Sequence, residues 1–198
     1  MTTLDPRRRV RCLLIRHAQS QPEIDVDPDD WLLSDLGRRQ AKALRDALRG
    51  EGIGEIYASP LPRAVATVRP LAEVLGLDIA AHDGLRERRL SGALIDDWRE
   101  QHQRSWTDFD RVLPGGESSR EAQARMLAGL QEILSEARSQ TVAVCSHGNV
   151  ISLALNALDP SFGFSQWQAM RNPHVFRLAW TPAGLELDAP LADVERRA

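Results

Sequence analysis

Charged and polar side chains follow four short apolar segments of this sequence, each at the point where the segment ends. Arg16 and His17 follow the first segment, Arg63 follows the second, Glu87 the third and His147 the fourth. Each is ordinary when taken alone, because an isolated Arg or Glu is usually a solvated charge. If the four segments are strands of one sheet, however, two imidazoles, two guanidiniums and a carboxyl meet at one edge.

An oxyanion is the ligand that this set of side chains fits best. A metal ion fits less well, because the two arginines would repel it and the sequence has neither an HExxH spacing nor a cysteine ligand set. A serine nucleophile is disfavoured because no GxSxG elbow occurs. Arginine binds phosphate oxygens through paired charge-assisted hydrogen bonds. Gly148 and Asn149, which open a predicted helix, add candidate backbone donors.

The imidazoles then have a specific use. Neutral histidine is a competent nucleophile near neutral pH because its unperturbed pKa is about 6.5. Attack on phosphorus would form a covalent phosphohistidine and divide one displacement into two. A protonated Glu87 would donate to the leaving alkoxide and later take a proton from water. Burial favours that protonated form and the nearby arginines oppose it, so the residues alone leave its protonation open.

The segments that must position these residues alternate between strand and helix. This alternation predicts an α/β fold, a three-layer sandwich with a mainly parallel central sheet and helices on both faces. Ligands of such sheets bind beyond the carboxyl ends of the strands. We expect one domain over residues 1–198, with an irregular, lid-like insert at about 85–117. The predicted strands are 10–15, 56–59, 77–81 and 141–145, followed by a hairpin of 175–180 and 185–187.

Helix boundaries carry their own signals. Ser34 is the predicted N-cap of the first helix, whose buried face is expected to hold Leu36, Ala43, Leu44, Ala47 and Leu48. Gly76 is placed to end the second helix. Ser118 and Glu121 have the spacing of a capping box at the start of the next one. A last helix is predicted over 150–158.

The overall composition excludes several classes of function. The chain has 198 residues with 25 basic and 28 acidic side chains, and its net charge of −3 gives no reason to expect nucleic-acid binding. No apolar run approaches the ~18 residues of a membrane span, and residues 1–9 precede no signal-peptide stretch. Cys12 and Cys145 are too few for a disulfide scaffold. We expect a cytoplasmic protein that takes a small phosphorylated substrate and uses no cofactor or metal; its oligomeric state stays open.

At these residues the chain resembles the histidine phosphatase superfamily, the phosphoglycerate-mutase-like proteins, from about Cys12 to Leu158. The family's opening motif, Arg-His-Gly followed by Glu or Gln and by Ser or Thr, is similar to Arg16–Ser20. Four further family blocks are similar to Leu33–Ala41, Ser59–Ala64, Leu85–Glu87 with Gly92, and Pro114–Ser118. Ser146–Gly148 completes the order.

The resemblance implies a role for each residue of the set. It makes His17 the phosphorylated nucleophile, Arg16 and Arg63 phosphate clamps, Glu87 the proton donor, and His147 a holder of the transferring phosphoryl group.

Two positions depart from the family pattern. Ala18 stands where the family most often has glycine, so this residue is expected to need no positive φ. A phosphate-contacting asparagine commonly follows the first motif, but here the segment reads Gln21-Pro22-Glu23. Ser20 or Asn149 is the expected substitute.

Hydrolysis of a phosphomonoester is favoured over mutase chemistry. Mutases of this family tend to be longer and to enclose the site, whereas only about 30 residues separate Glu87 from Glu117. Mutase-type phosphoryl transfer, a phosphoprotein phosphatase and a non-catalytic phosphate-binding module stay as alternatives. The arginines of the insert would either bind a second anionic group or be solvated. The acidic residues soon after His17 should repel highly anionic ligands. Trp98, Trp106 and Phe109 would contact the substrate or pack in a core or lid.

Overall fold

A six-stranded sheet forms the centre of the computed structural model, which describes residues 7–93 and 95–188. The expected domain of 1–198 therefore includes residues 1–6, 94 and 189–198, which lie outside the described residues. The strand order is β3-β2-β4-β1-β5-β6. The first four of these are parallel to one another, β5 is antiparallel to β1 and β6 is antiparallel to β5, so the predicted mainly parallel sheet is confirmed. The strands are β1 (Val10–Arg16), β2 (Glu55–Ala58), β3 (Ile79–Ala81), β4 (Thr141–Ser146), β5 (His174–Thr181) and β6 (Gly184–Leu187).

Helices cover both faces of the sheet because successive side chains of each strand point to opposite sides. Leu13 and Ile15 of β1 pack with α1 and α2, whereas Cys12 and Leu14 pack with α4 and α5. The three-layer α/β sandwich is thereby confirmed. The helices are α1 (Asp35–Leu48), α2 (Pro62–Leu75), α3 (Trp98–Thr107), α4 (Ser119–Glu136), α5 (Gly148–Leu158) and α6 (Phe164–Ala169).

The helix caps agree with the sequence, but the buried face of α1 does not. Ser34 Oγ accepts from the Gly37 N–H, Gly76 ends α2 with φ of 66°, and Ser118 and Glu121 form both bonds of the capping box. The predicted inward positions Leu36, Ala43 and Ala47 of α1 are exposed. The buried stripe is instead Gly37, Ala41, Leu44 and Leu48.

Close backbone contact explains this error. A Cβ on Gly37 would lie 2.0 Å from the carbonyl oxygen of Gln19, so only glycine fits there. This contact turns the glycine toward the protein interior and Leu36 toward solvent, which a hydrophobic pattern cannot predict.

The insert at 85–117 is not wholly irregular, since it contains α3. This helix lacks an apolar stripe, because Ser105 is its only buried residue, so its pattern gave no helix signal. The two ends of the insert lie together: the Gly92 N–H donates to Pro114 O at 2.9 Å, and the Glu117 N–H donates to Arg89 O at 2.7 Å.

The aromatic residues of the insert divide between two environments. Trp106 and Phe109 pack against the hydrophobic core that Cys12 and Leu14 form with α4 and α5. This agrees with the prediction that they pack in a core. Trp98 is 51% exposed. The six-residue α6 was also missed, because so short a segment shows no periodicity.

No helix in the ranges 7–93 and 95–188 is long and apolar enough to span a lipid bilayer.

Candidate active site

His17 lies where β1 leaves the sheet, and it has one bare ring nitrogen. Its backbone N–H donates to Ser146 O at 3.0 Å, which ties the end of β1 to the end of β4. Its Nδ1 lies 2.6 Å from Ala18 O. Because a carbonyl oxygen only accepts, Nδ1 must carry the ring proton, and the lone pair is on Nε2. Burial, together with the charges of Arg63 and Arg16, lowers the pKa of His17 to about 3, so the ring is neutral near pH 7.

His147 lies beside His17 at the end of β4. The two ring centroids are 5.1 Å apart and the rings meet edge-on at 61°. Nε2 of His147 shares a 2.7 Å hydrogen bond with Ser59 Oγ, which also accepts from the Leu61 N–H. His147 is fully buried, and burial and the neighbouring His17 lower its pKa well below the usual value. Its Nδ1 has no hydrogen-bond partner among the described residues.

Arg16 and Arg63 place two guanidinium groups around His17; Arg63 is buried and Arg16 is partly buried. Arg63, in the first turn of α2, is 5% exposed and donates to Pro28 O at 2.6 Å. Arg16, at the end of β1, donates to Met170 O. Burial lowers the pKa of both groups and the charge of Glu87 opposes that shift. Neither forms an ion pair with a carboxylate in the described part of the chain. Buried charges normally have a counter-ion, so these two cations form an anion site.

Glu87 occupies the N-terminus of α5, where an external anion was expected. Its Oε2 accepts from the Asn149 N–H at 3.1 Å and its Oε1 from the Val150 N–H at 2.9 Å. The helix N-terminus is thus already bound to a carboxylate of the protein itself. The expected phosphate donors Gly148 and Asn149 do not line the cavity above His17, whereas Glu87 does.

The first two residues of α5 have packing environments of their own beside Arg16 and Glu87. A Cβ on Gly148 would lie 3.0 Å from Arg16 Nε, so glycine leaves space for the guanidinium. Asn149 is buried, and its side-chain amide has no partner among the described residues. The Asn149 N–H is used by Glu87, and the binding of phosphate by Gly148 and Asn149 stays a prediction.

Asn172 is a residue that sequence reasoning missed. It precedes β5, donates from Nδ2 to His17 O at 2.8 Å, and lines the cavity. Its only sequence signal was an Asn-Pro pair, which predicts a turn and no chemistry. Ser20 also lines the cavity, as expected of a substitute for the missing asparagine. Ala18 was predicted correctly, since no non-glycine residue among those described has a positive φ.

One cavity of about 950 Å³ joins these groups to the insert. Its inner part, which we call the socket, consists of Arg16, His17, Arg63, Glu87 and Asn172. We call the residues of 22–31 and 89–98 that line the cavity the outer wall. His147 does not line the cavity and lies behind His17. In the described ranges, no three His, Cys, Asp or Glu side chains are arranged to hold a metal ion.

A comparison with protein-family models decides the family. The model of the histidine phosphatase superfamily (branch 1) matches residues 12–190. This chain belongs to that superfamily. The match includes every residue of the socket, and it confirms the resemblance that the strand-end motifs indicated.

Relatives of this histidine phosphatase include proteins named as phosphatases and proteins named as mutases. Phosphoserine phosphatase 1 of Hydrogenobacter thermophilus is 32% identical over 152 residues, which cover 70% of this chain and 71% of the relative. A 2,3-bisphosphoglycerate-dependent phosphoglycerate mutase of Brucella ovis is 31% identical over 165 residues, covering 74% and 80%. Among solved structures, a mycobacterial glucosyl-3-phosphoglycerate phosphatase is 25% identical with a TM-score of 0.74, covering 92% of this chain and 98% of its own.

Proposed function

We propose that this histidine phosphatase hydrolyses phosphomonoesters of small metabolites through a phosphohistidine on Nε2 of His17. The observation that carries the proposal is a neutral imidazole with a bare nitrogen between two guanidiniums, one buried and one partly buried, that have no carboxylate partner among the described residues. The arginines supply the charge that a phosphate dianion needs, and the ring supplies the nucleophile.

The reaction then has two displacements. In the first, the Nε2 lone pair of His17 attacks phosphorus and the bond from phosphorus to the ester oxygen breaks. Glu87 must enter this step protonated, and it gives its proton to that oxygen. In the second, water attacks phosphorus, the N–P bond breaks, and Glu87 takes a proton from the water. Arg16 and Arg63 hold the phosphoryl oxygens through both steps. The buried ring of His147 packs edge-on against His17 and orients the nucleophile.

Hydrolysis is favoured over mutase chemistry by the charge of the outer wall. Asp25 lines the same cavity as the socket and has no ion pair within the described ranges. The mutase of Brucella ovis is named as dependent on 2,3-bisphosphoglycerate, and this carboxylate would repel the second phosphate of such a compound. The relatives named as phosphatases of phosphoserine and of glucosyl-3-phosphoglycerate support a small phosphorylated metabolite as substrate. A cytoplasmic location and the lack of a nucleic-acid partner stay predictions.

Steady-state phosphate release tests this proposal. We expect release from a panel of small phosphomonoesters, unchanged by a chelator, and a loss of at least about 10⁴-fold in the His17→Ala variant. The ratio of phosphate release to phosphoglycerate isomerisation separates the two reactions, and we expect release to dominate. Isomerisation as the faster process would favour the mutase, and absence of turnover with retained phosphate binding would favour a non-catalytic module.

A further inference from the structure

The outer wall of the cavity carries apolar surface that a phosphate does not need. Ile24 is 89% exposed and Trp98 is 51% exposed, and both lie on this wall. Large apolar side chains are seldom left exposed together on a concave surface unless a ligand or partner covers them. Four partly buried apolar side chains continue the same wall, namely Val26, Trp31, Leu90 and Ile95.

The charged groups of the outer wall do not favour a second anion. Arg89 is already paired, with Nη2 at 3.1 Å from Asp29 and 3.5 Å from Asp27. Arg88 is 5% exposed, and its guanidinium donates to Glu117 O and Ser105 Oγ, so it anchors α3 to the start of α4.

One carboxylate of the outer wall, unlike Arg89, has no ion pair within the described ranges. This carboxylate is that of Asp25, which lines the cavity. A carboxylate or second phosphate on a substrate would therefore approach carboxylates at the outer wall.

The outer wall also adjoins the chemistry directly. Arg63 of the socket donates to Pro28 O, and Pro28 belongs to the outer wall. Because one cavity contains Arg63, His17 and the outer wall, an ester whose phosphoryl group lies at Arg63 and His17 has the outer wall within the same cavity.

We propose that the outer wall binds an apolar, uncharged leaving group, so that the preferred substrates are phosphomonoesters of apolar alcohols. This inference rests on the proposed function and specifies the substrate class for that site. Ile24 and Trp98 are the specificity-determining residues, because they present the most exposed apolar surface beside the socket.

A series of n-alkyl phosphates tests this proposal without changing the chemistry of the leaving group. Ethyl, butyl and hexyl phosphate all release a primary alkoxide, so a difference in kcat/KM reports contacts of the alkyl chain. We expect about a twofold rise per methylene, or about 15-fold from ethyl to hexyl phosphate, since a half-open wall buries each methylene only partly. A flat series would overturn the proposal.

A charged analogue separates apolar binding from anion binding. A hexyl phosphate with a carboxylate at its far end should have a kcat/KM about tenfold below that of hexyl phosphate. An equal or higher value would overturn the proposal and assign the outer wall to a second anionic group, held by Arg88 or Arg89.

Matched surface variants test which residues cause the dependence of kcat/KM on the length of the alkyl chain. Ile24→Ser and Trp98→Ala should each reduce the ratio of hexyl to ethyl phosphate kcat/KM at least threefold, while Val112→Ser, at a position 52% exposed and outside the cavity, should not change it. Circular dichroism of Trp98→Ala checks that α3 persists, and Ile24→Ser needs no such check because its site is an exposed loop. An unchanged ratio in Ile24→Ser and Trp98→Ala would contradict the assignment.

The two proposals fail in different ways. If no ester of any chain length releases phosphate, the proposed function is wrong. If all esters release phosphate with equal kcat/KM, only the assignment of the outer wall is wrong.

Discussion

The socket and the outer wall face the same cavity but are built by different means. The socket residues stand at the end of β1, in the first turn of α2 and beside the start of α5, and backbone atoms hold their side chains. The outer wall comes from two connecting segments, and its ion pairs are half-exposed, as in Arg89–Asp29 with 49% and 35% of the side chains exposed. Exposed pairs of this kind contribute about 0–1 kcal/mol each. The reaction is therefore fixed by the sheet, and the choice of substrate by segments that tolerate change.

Matched arginine variants give the largest contrast between the two regions. Arg63→Met should lower kcat/KM by about 10²–10³-fold, because it removes the buried one of the two cations around the transferring phosphoryl group. Arg89→Met should change it less than fivefold, because that guanidinium is half-exposed and paired with aspartates. Steady-state kinetics on one substrate measures both, and similar losses would remove the distinction between the regions.

Glu87→Gln tests the one carboxyl of the socket. Without a proton to give, the variant should lose about 10²-fold in kcat/KM on an alkyl phosphate, whose alkoxide is a poor leaving group. The loss on 4-nitrophenyl phosphate should be less than about tenfold, because that leaving group needs little protonation. Thermal denaturation controls for the weakened hydrogen bonds to α5. Equal losses on both esters would show that Glu87 is not the acid.

Gly148→Ala asks how tightly the socket is packed. The added Cβ would lie 3.0 Å from Arg16 Nε and 3.1 Å from its Cζ, so the guanidinium must move. We expect about a tenfold loss in kcat/KM with the fold retained. Gly50→Ala is the control, because a Cβ there meets nothing within 4 Å, and its activity should not change. Wild-type activity in Gly148→Ala would mean that Arg16 does not need its present position.

The smallest expected effect is on the stability of the protein in acid. It compares His17 of the socket with His102, which lies beside the outer wall. Burial lowers the pKa of His17 to about 3, and burial with the charge of Arg88 lowers that of His102, beside the outer wall, to about 4. Between those values and the unfolded value of 6.5, the unfolded chain binds more protons than the folded one. The free energy of unfolding should therefore fall as the pH drops from about 6.5 toward 4.

Denaturant unfolding at several pH values measures this slope. His17→Asn and His102→Gln should each make it shallower, with the larger change for His17. A slope that neither variant alters would mean that both rings titrate normally in the folded protein.

The same contrast explains what the sequence could predict. Arg16, His17, Arg63, Glu87 and His147 were identifiable because strand ends converge by a general rule and each carries a distinctive side chain. The parallel strands and the caps at Ser34, Gly76 and Ser118 follow from equally local signals.

Features that depend on tertiary contact were not predictable in this way. Asn172 reaches His17 from a distance of 155 residues, and Ser59 reaches His147 from 88. The contact of Glu87 with the N-terminal amides of α5 was not predicted, because no local pattern connects Glu87 to that helix. Helix α3 was missed because Ser105 is its only buried residue, so its sequence shows no apolar stripe.

Chemical trapping of the phosphorylated protein tests the central claim most directly. The protein is mixed with substrate, quenched in alkali within milliseconds, and digested for mass spectrometry, because a phosphoramidate on imidazole survives alkali and is lost in acid. We predict phosphate on His17 that forms as fast as the first turnover and is absent from His17→Ala. Steady phosphate release with His17 unmodified at every quench time, or with the label on another residue, would contradict it.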